Sequence, residues 1–305
     1  MESINKIAVL YGGSSGEREV SIESGKRVHD AIIELGYESK KFDINDIDDL
    51  HALINFDFIF IALHGEEGES GALQKRLESI GIPYTGSNAE SCSHSWNKSI
   101  SKNLIRKNGM KTPDSIQINN SLSFKRSYED IPFDHFFIKP SMDGSSVNIF
   151  EIKNKDEYKE TIEKLNTLNG PFILEEAIKF KEYTVTIIGD LVLPPIEIKT
   201  VNSFYDYEEK YSKESHATTH VEAPNLNSEQ INLIKKYSRL AFKGLGLRHL
   251  SRIDFFLTEQ EGVLLGEINT FPGLTPISMF PQMMKHHGVE FKDYLIDRIS
   301  ASQDT

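Results

Sequence analysis

Cysteine is nearly absent: among 305 residues there is one, Cys92. No intrachain disulfide can form and no multi-cysteine metal site can be built, which points to a reducing compartment. Long apolar runs are missing too. The longest, Phe58-Ile-Phe-Ile-Ala-Leu63, has the length of a buried strand and falls well short of the roughly 18 residues that span a bilayer. The N-terminus MESINKIAVLYGG has no basic stretch followed by an apolar core and a small-residue cleavage site, so a cytoplasmic location is expected. Positive charge is scarce: 34 Lys+Arg against 46 Asp+Glu leave a net charge of −12. A protein that holds nucleic acid or an anionic membrane electrostatically needs a basic face to displace counterions, so neither is the expected partner; a local basic pocket stays open. Internal repeats and low-complexity tracts are absent. So are the phosphate-binding fingerprints G-x-G-x-x-G and G-x-x-x-x-G-K-[ST], which the turn Gly12-Gly-Ser-Ser-Gly16 does not satisfy, and this argues against a nicotinamide-dependent dehydrogenase.

What is present is ordinary for a folded protein, 38% hydrophobic and 26% charged. The length exceeds what one core usually supports, so two or three packed domains are expected. Lys6–Leu10 reads as a strand buried on both faces, followed by a glycine turn and by Val28, Ala31, Ile32 and Leu35 at helical spacing. Further strands over 39–44 and 56–63 and a helix over 71–79 make the first 90 or so residues a parallel α/β layer. One helical stretch is expected from Ala89 to Lys107. Beyond Pro113 the pattern becomes α+β: strands at 136–139, 147–152, 172–175 and 183–188, a helix over 156–168, and a hairpin turn at Gly189-Asp190. Residues 201–225 are polar and aperiodic, the mark of a functional lid or a disordered segment. Asn227 with Gln230 forms a capping box before a helix. Strands over 250–257 and 263–269 and two terminal helices close the chain. Cys92 reads as a small buried hydrophobe or a surface bystander, Trp96 as core, and Met279, Met283 and Met284 as packing.

The last strand pair carries the most chemistry. Residues i and i+2 of a strand share a face, so Arg252 points with Asp254 and Glu267 with Asn269, while Leu264 or Leu265 and Ile268 supply apolar surface. Paired as a hairpin, they would gather two carboxylates, an amide oxygen and a guanidinium. Such hard oxygens suit Mg²⁺ when phosphates complete its shell; a half-exposed strand face would alternate in the same way. Ile138-Lys-Pro-Ser-Met-Asp-Gly-Ser-Ser-Val147 sends a lysine out of a strand into a Gly/Ser turn, either a phosphate-closing flap or an ordinary hairpin. In Gly16-Glu-Arg-Glu-Val-Ser21 the acids are accounted for by the helix dipole. His64 follows a buried strand at the end where open α/β sheets place ligands, although a lone histidine is more often structural.

These stretches occur in an order and spacing that resemble the D-alanine–D-alanine ligases of the ATP-grasp superfamily, almost end to end. The matching segments are AVLYGGSSGEREVS (8–21), FIALHGEEGESGALQ (60–74), PYTGS (83–87), IKPSMDGSSV (138–147), FYDYEEKY (204–211), SRIDFF (251–256) and GEINTFPGLTPISMFP (266–281). The resemblance implies an α/β, three-domain ATP-grasp fold: an N-terminal parallel α/β substrate-binding domain over 1–96, a central α+β ATP-grasp domain over 97–180, and a C-terminal ATP-grasp domain over 181–305 with the lid and metal site. It implies ATP-dependent ligation of two D-alanines through an acyl phosphate, for peptidoglycan precursors. ATP and two Mg²⁺ ions, with Mn²⁺ able to replace them, would be the cofactors, and a homodimer the assembly.

Residue by residue, the resemblance assigns Asp254, Glu267 and Asn269 to the metals, Lys98 and Lys139 to the ATP phosphates, and Lys210 to the transferring phosphoryl group. Glu175 and Glu182 fall to adenine and ribose. Glu17 would bind the ammonium of the first D-alanine in a set with Ser145 and Tyr211, and His64 would line that site. Arg252 and the Gly273 N–H would stabilise the oxyanion, and Ser278 would hold the second carboxylate. Departures from the family pattern are Phe271 and Ile277, beside the second-substrate site, and Asn148 where glycine is expected. Tyr211 favours D-alanine as acceptor over D-lactate or D-serine; a nucleotide-binding protein without catalysis would be expected to have lost the metal or oxyanion residues, which are present.

Overall fold

The computed structural model describes residues 4–120, 124–144, 148–168, 170–199, 218–220 and 225–301. Three sheets organise the chain. The first is parallel, in the order β2-β1-β3, from β1 (Lys6–Tyr11), β2 (Glu38–Asp43) and β3 (Phe58–Ile61). Its strand β1 explains the unbroken apolar run. Ile7 and Val9 enter one core and Ala8 and Leu10 another, so period-2 alternation feeds two buried faces. Helix α1 (Arg18–Glu34) covers one face with Ser21, Ser24, Gly25, Val28, Ala31 and Ile32. The small residues of its first half let it approach β1 closely. Helices α2 (Glu66–Glu69) and α3 (Ala72–Ile80) follow β3 on the other side, with Leu73 and Leu77 buried as their i,i+4 spacing predicts.

The single helix expected over 89–107 is two, α4 (Ala89–Trp96) and α5 (Lys98–Lys107), broken at Asn97. Asn97 takes an extended conformation and its side chain accepts from the N–H groups of Ser99 and Ile100, so it caps the second helix. Trp96, expected in the core, is half-buried and lies against Gly144. The second sheet is antiparallel, β4-β7-β5-β6, from β4 (Ser115–Ile118), β5 (Phe136–Pro140), β6 (Phe150–Ile152) and β7 (Phe172–Glu176), covered by α6 (Lys155–Leu168). Strand β6 starts at Phe150, later than expected.

The third sheet runs β11-β10-β8-β12-β13, with β9 also on β8, from β8 (Lys181–Ile188), β9 (Leu191–Val192), β10 (Ile196–Lys199), β11 (Thr218–His220), β12 (Leu250–Thr258) and β13 (Gly262–Asn269). Strand β11 places part of the expected lid on a sheet edge, paired with β10; residues 201–217 and 221–224 lie outside the described residues. Helix α7 (Ser228–Gly244) opens with the Asn227/Gln230 capping box. The terminal helices α8 (Met279–His286) and α9 (Phe291–Ala301) return to the first sheet. Phe280, Met283, Met284, Tyr294 and Leu295 share one core with Ile7, Val9, Ile32 and Phe60. No described helix is long and apolar enough to cross a membrane.

Candidate active site

A cavity of about 740 Å³ lies between the second and third sheets. Its walls include Phe137 and Lys139 of β5, the 175–182 segment, Ile198, and Arg252, Asp254, Phe256 and Glu267 of the last hairpin. Phe180 and Phe256 stack at its apolar end, with centroids 4.1 Å apart. The opposite end is charged. The β12–β13 register sets Arg252 against Asn269 and Asp254 against Glu267, so the shared polar face expected from alternation forms. A bulge beside Phe255 then makes Gly266 the extra residue, and Leu264 and Leu265 are both fully buried, not one of the two.

Two carboxylates opposed across a ladder repel each other, and each has a cation beside it. Arg252 binds Asp254 bidentately, at 3.1 and 3.0 Å. Lys98 Nζ lies 3.6 Å from Glu267 and donates to the Asp143 carbonyl at 2.5 Å. Asn269 uses Oδ1 to accept the Phe271 N–H at 3.1 Å. These hard oxygens suit Mg²⁺. Among the described residues no trio of His, Cys, Asp or Glu forms a metal cage on its own, so an ion here would take further oxygens from phosphates and water, as Mg²⁺ does.

At the cavity floor, Glu175 is held by two ammonium groups, Lys139 and Lys102, each at 2.5 Å. The two lysines outweigh burial and keep the Glu175 carboxyl down at about 2. The cost of burial falls on Lys102, whose pKa is pushed below lysine's ordinary value despite Glu175. Lys102 also donates to Thr112 Oγ1 and the Pro113 carbonyl. It is the site residue that sequence reasoning missed. Its signal was the i,i+4 spacing from Lys98 on one helix face.

Glu17 opens α1 and its side chain makes no capping hydrogen bond, so what it gives the helix is negative charge at the positive end of the dipole. The glycine turn before it is fixed by Asp43, which binds Arg18 Nη2 at 2.6 Å, and by Glu67, which takes the N–H and hydroxyl of Ser14 at 2.7 and 2.6 Å. Burial, reinforced by the negative charge of Glu17, pushes the Glu69 carboxyl up to about 8. His64 is buried with both ring nitrogens engaged, on Phe271 O at 2.8 Å and Ser24 Oγ at 2.9 Å. The resemblance places His64 along the first-substrate site; in the structure both of its ring nitrogens are engaged by the protein itself. Phe271 is likewise buried, at 3% exposure, against Gly86, whereas Ile277 is 60% exposed beside Ser278. Ser278 Oγ lies 2.8 Å from Thr275 Oγ1, and a β-carbon on Gly273 would come within 2.6 Å of it.

One cavity therefore gathers Lys98, Lys139, Glu175, Glu182, Arg252, Asp254 and Glu267. Asn269 ends β13 with Gly273 and Ser278 beyond it, and Glu17 and His64 stand at the start of α1 and just after β3. Ser145, Lys210 and Tyr211 lie outside the described residues.

The family model described as "D-ala D-ala ligase C-terminus" matches residues 111–300, and "D-ala D-ala ligase N-terminus" matches 38–87. The chain belongs to the D-alanine–D-alanine ligase family. The D-alanine–D-alanine ligase of Vibrio atlanticus is 35% identical over 97% of this chain and 98% of its own length; that of Shewanella amazonensis is 33% identical over 97% of both. Among solved structures, the D-alanyl-alanine synthetase A of Vibrio cholerae superposes with a TM-score of 0.87 at 29% identity over 100% of each chain. A ligase of Bacillus anthracis complexed with ATP gives 0.84 at 28% identity over 98% of each. A D-Ala:D-Ser ligase of Enterococcus faecalis gives 0.83 at 28% identity, covering 98% of this chain and 99% of its own. The mixed architecture, a parallel first sheet followed by two antiparallel ones, is the ATP-grasp fold of this ligase family.

Proposed function

We infer that the chain is an ATP-dependent D-alanine–D-alanine ligase that makes D-alanyl-D-alanine for peptidoglycan precursors. The observation that supports this best is the Arg252/Asp254/Glu267 face meeting Lys98 and Lys139 across one cavity, in a chain of that family. A carboxylate is a poor electrophile because it must expel oxide. Transfer of the ATP γ-phosphoryl group to the first D-alanine creates an acyl phosphate, and attack by the amine of the second D-alanine expels phosphate, leaving dipeptide and ADP.

Phosphoryl transfer is mostly positioning and charge neutralisation. Lys98 and Lys139 hold phosphate oxygens, Lys139 being oriented by Glu175, and Lys210 approaches the transferring group. Asp254, Glu267 and Asn269 would hold two Mg²⁺ ions, or Mn²⁺, whose chemistry is to neutralise the phosphate charge. Adenine lies toward Ile178, Phe180 and Phe256, with Glu175 and Glu182 as polar partners of base and ribose. Glu17, in a set with Ser145 and Tyr211, takes the first ammonium, beside the segment that carries His64. Arg252 and the Gly273 N–H receive the developing oxyanion, and Ser278 holds the second carboxylate. Residues 1–96, 97–180 and 181–305 act as three domains closing on these ligands, with 201–225 as the lid, in a cytoplasmic homodimer.

Phosphate release from ATP and Mg²⁺ with D-alanine, L-alanine, D-serine or D-lactate tests this, with products identified by mass. Release that depends on D-alanine, with the dipeptide as product, is the expected result. No dependence on D-alanine overturns the reading, and a mixed product with D-serine or D-lactate reassigns the acceptor.

A further inference from the structure

The backbone on both sides of Gly273 is held by side chains of α1 and of the segment after β3. Upstream, the Phe271 carbonyl accepts from His64 Nδ1 at 2.8 Å. Downstream, the Leu274 N–H donates to Ser24 Oγ at 3.2 Å and the Leu274 carbonyl accepts from Arg27 Nη1 at 2.6 Å. Pro272 has no N–H. Between the anchors the one backbone donor is that of Gly273, which has no hydrogen-bond partner among the described residues.

Ser24 closes the circuit, its Oγ lying 2.9 Å from His64 Nε2. The roles are then forced. A carbonyl only accepts, so the imidazole proton sits on Nδ1; Nε2 is a lone pair and takes the Ser24 hydroxyl proton; the Ser24 oxygen accepts the Leu274 N–H. The His64 backbone N–H is taken by Ser21 Oγ at 3.1 Å. Ser24 and His64 are 0% and 2% exposed, and burial holds the imidazole neutral by lowering its pKa. A buried polar network with every member satisfied fixes its geometry. Arg27 is braced separately, its guanidinium 3.9 Å over the Phe291 ring.

We propose that Ser24, His64 and Arg27 are positioning residues for the ligation step: they clamp the peptides on either side of Gly273 so that its N–H stays available to the oxyanion. The proposal rests on the ligase reading above. None of the three needs to touch substrate. Their effect is on the transition state, so it belongs in kcat and not in ATP affinity.

The test is steady-state formation of D-alanyl-D-alanine by the wild type and by Ser24→Ala, His64→Asn, His64→Gln and Arg27→Met, varying ATP and D-alanine, with Tm measured for each. The wild type is read first: absence of dipeptide there defeats the ligase reading, not the clamp. Given an active wild type, Ser24→Ala is expected to lower kcat by about 10- to 100-fold while KM for ATP stays within about twofold. His64→Asn, whose amide nitrogen replaces Nδ1 as donor to Phe271, should keep more activity than His64→Gln. If Ser24→Ala does not fold, Arg27→Met at the half-buried guanidinium carries the same test, with kcat down about tenfold. A kcat within about threefold of the wild type, a parallel loss of ATP affinity and Tm, or a His64→Gln variant more active than His64→Asn would each overturn the proposal.

Discussion

His249 adopts φ 63°, a left-handed conformation that costs a residue with a β-carbon about 1–2 kcal/mol. Three hydrogen bonds hold it there. Its Nδ1 accepts the Gly86 N–H at 3.0 Å, and its carbonyl accepts from the Gly189 N–H at 2.9 Å and Arg298 Nη1 at 3.1 Å. Acceptance at Nδ1 requires a neutral ring. Burial, helped by Arg298 and Arg248, pulls the His249 pKa down to about 4. The folded value thus lies below the unfolded 6.5, so the stability this group contributes is complete above pH 6.5 and is lost as pH falls toward 4. The wild-type Tm should fall across that window. His249→Asn, which tolerates positive φ and offers an amide oxygen that does not titrate, should fall less; equal acid sensitivity of the two proteins in thermal melts would refute the assignment. Gly86 is constrained from the other side. Its φ is +96° and a β-carbon would lie 2.1 Å from Phe271 Cζ, so Gly86→Ala should cost about 2–4 kcal/mol in urea unfolding. The resemblance puts Phe271 next to the second-substrate site as a departure from the family pattern. Its ring also packs on Gly86, a glycine far along the chain, and that contact leaves no local signal.

At the scale of elements, the β12–β13 hairpin was legible because alternation and a turn fix which side chains share a face. The bulge was not, because an inserted residue at Gly266 shifts the face without changing composition. The short strands β4, β10 and β11 escaped for a related reason: three or four residues give too few repeats of a two-residue period, and their pairing comes from distant strands. Asn97 did carry a readable signal, an N-cap residue within a helical run, and the break there presents Lys98 at the first turn of α5. On the hairpin itself, Arg252→Ala removes the guanidinium proposed for the oxyanion while sparing the lysines at the phosphates. Turnover should drop by about 10²–10³-fold, the loss seen when one oxyanion donor is removed. ATP affinity, measured by nucleotide titration, should stay near the wild-type value; equal loss of both would show that Arg252 acts mainly by pairing Asp254 and keeping the hairpin folded.

Across the whole molecule, the net charge of −12 argues against a basic nucleic-acid surface, yet a cavity for a small polyanion is assembled from a few cations brought together by tertiary structure. Lys98, Lys102 and Lys139 come from α5 and β5 and converge on carboxylates of β7 and β13. Asp254 and Glu267 face the same space. ATP alone therefore meets repulsion from two carboxylates that a divalent ion would convert to attraction. Binding to the native state raises stability by about 2.7 kcal/mol when ligand is at a hundred times Kd, so the linkage can be read in a melt. ATP with Mg²⁺ should raise Tm markedly, and ATP with a chelator should do so much less. The variant Asp254→Asn/Glu267→Gln removes the repulsion along with the ion's ligands, so its Tm shift with ATP should become nearly independent of Mg²⁺ even though turnover is lost. A double variant whose ATP shift still required Mg²⁺ would place the metal elsewhere and leave the opposed carboxylates a structural role beside Arg252 and Lys98.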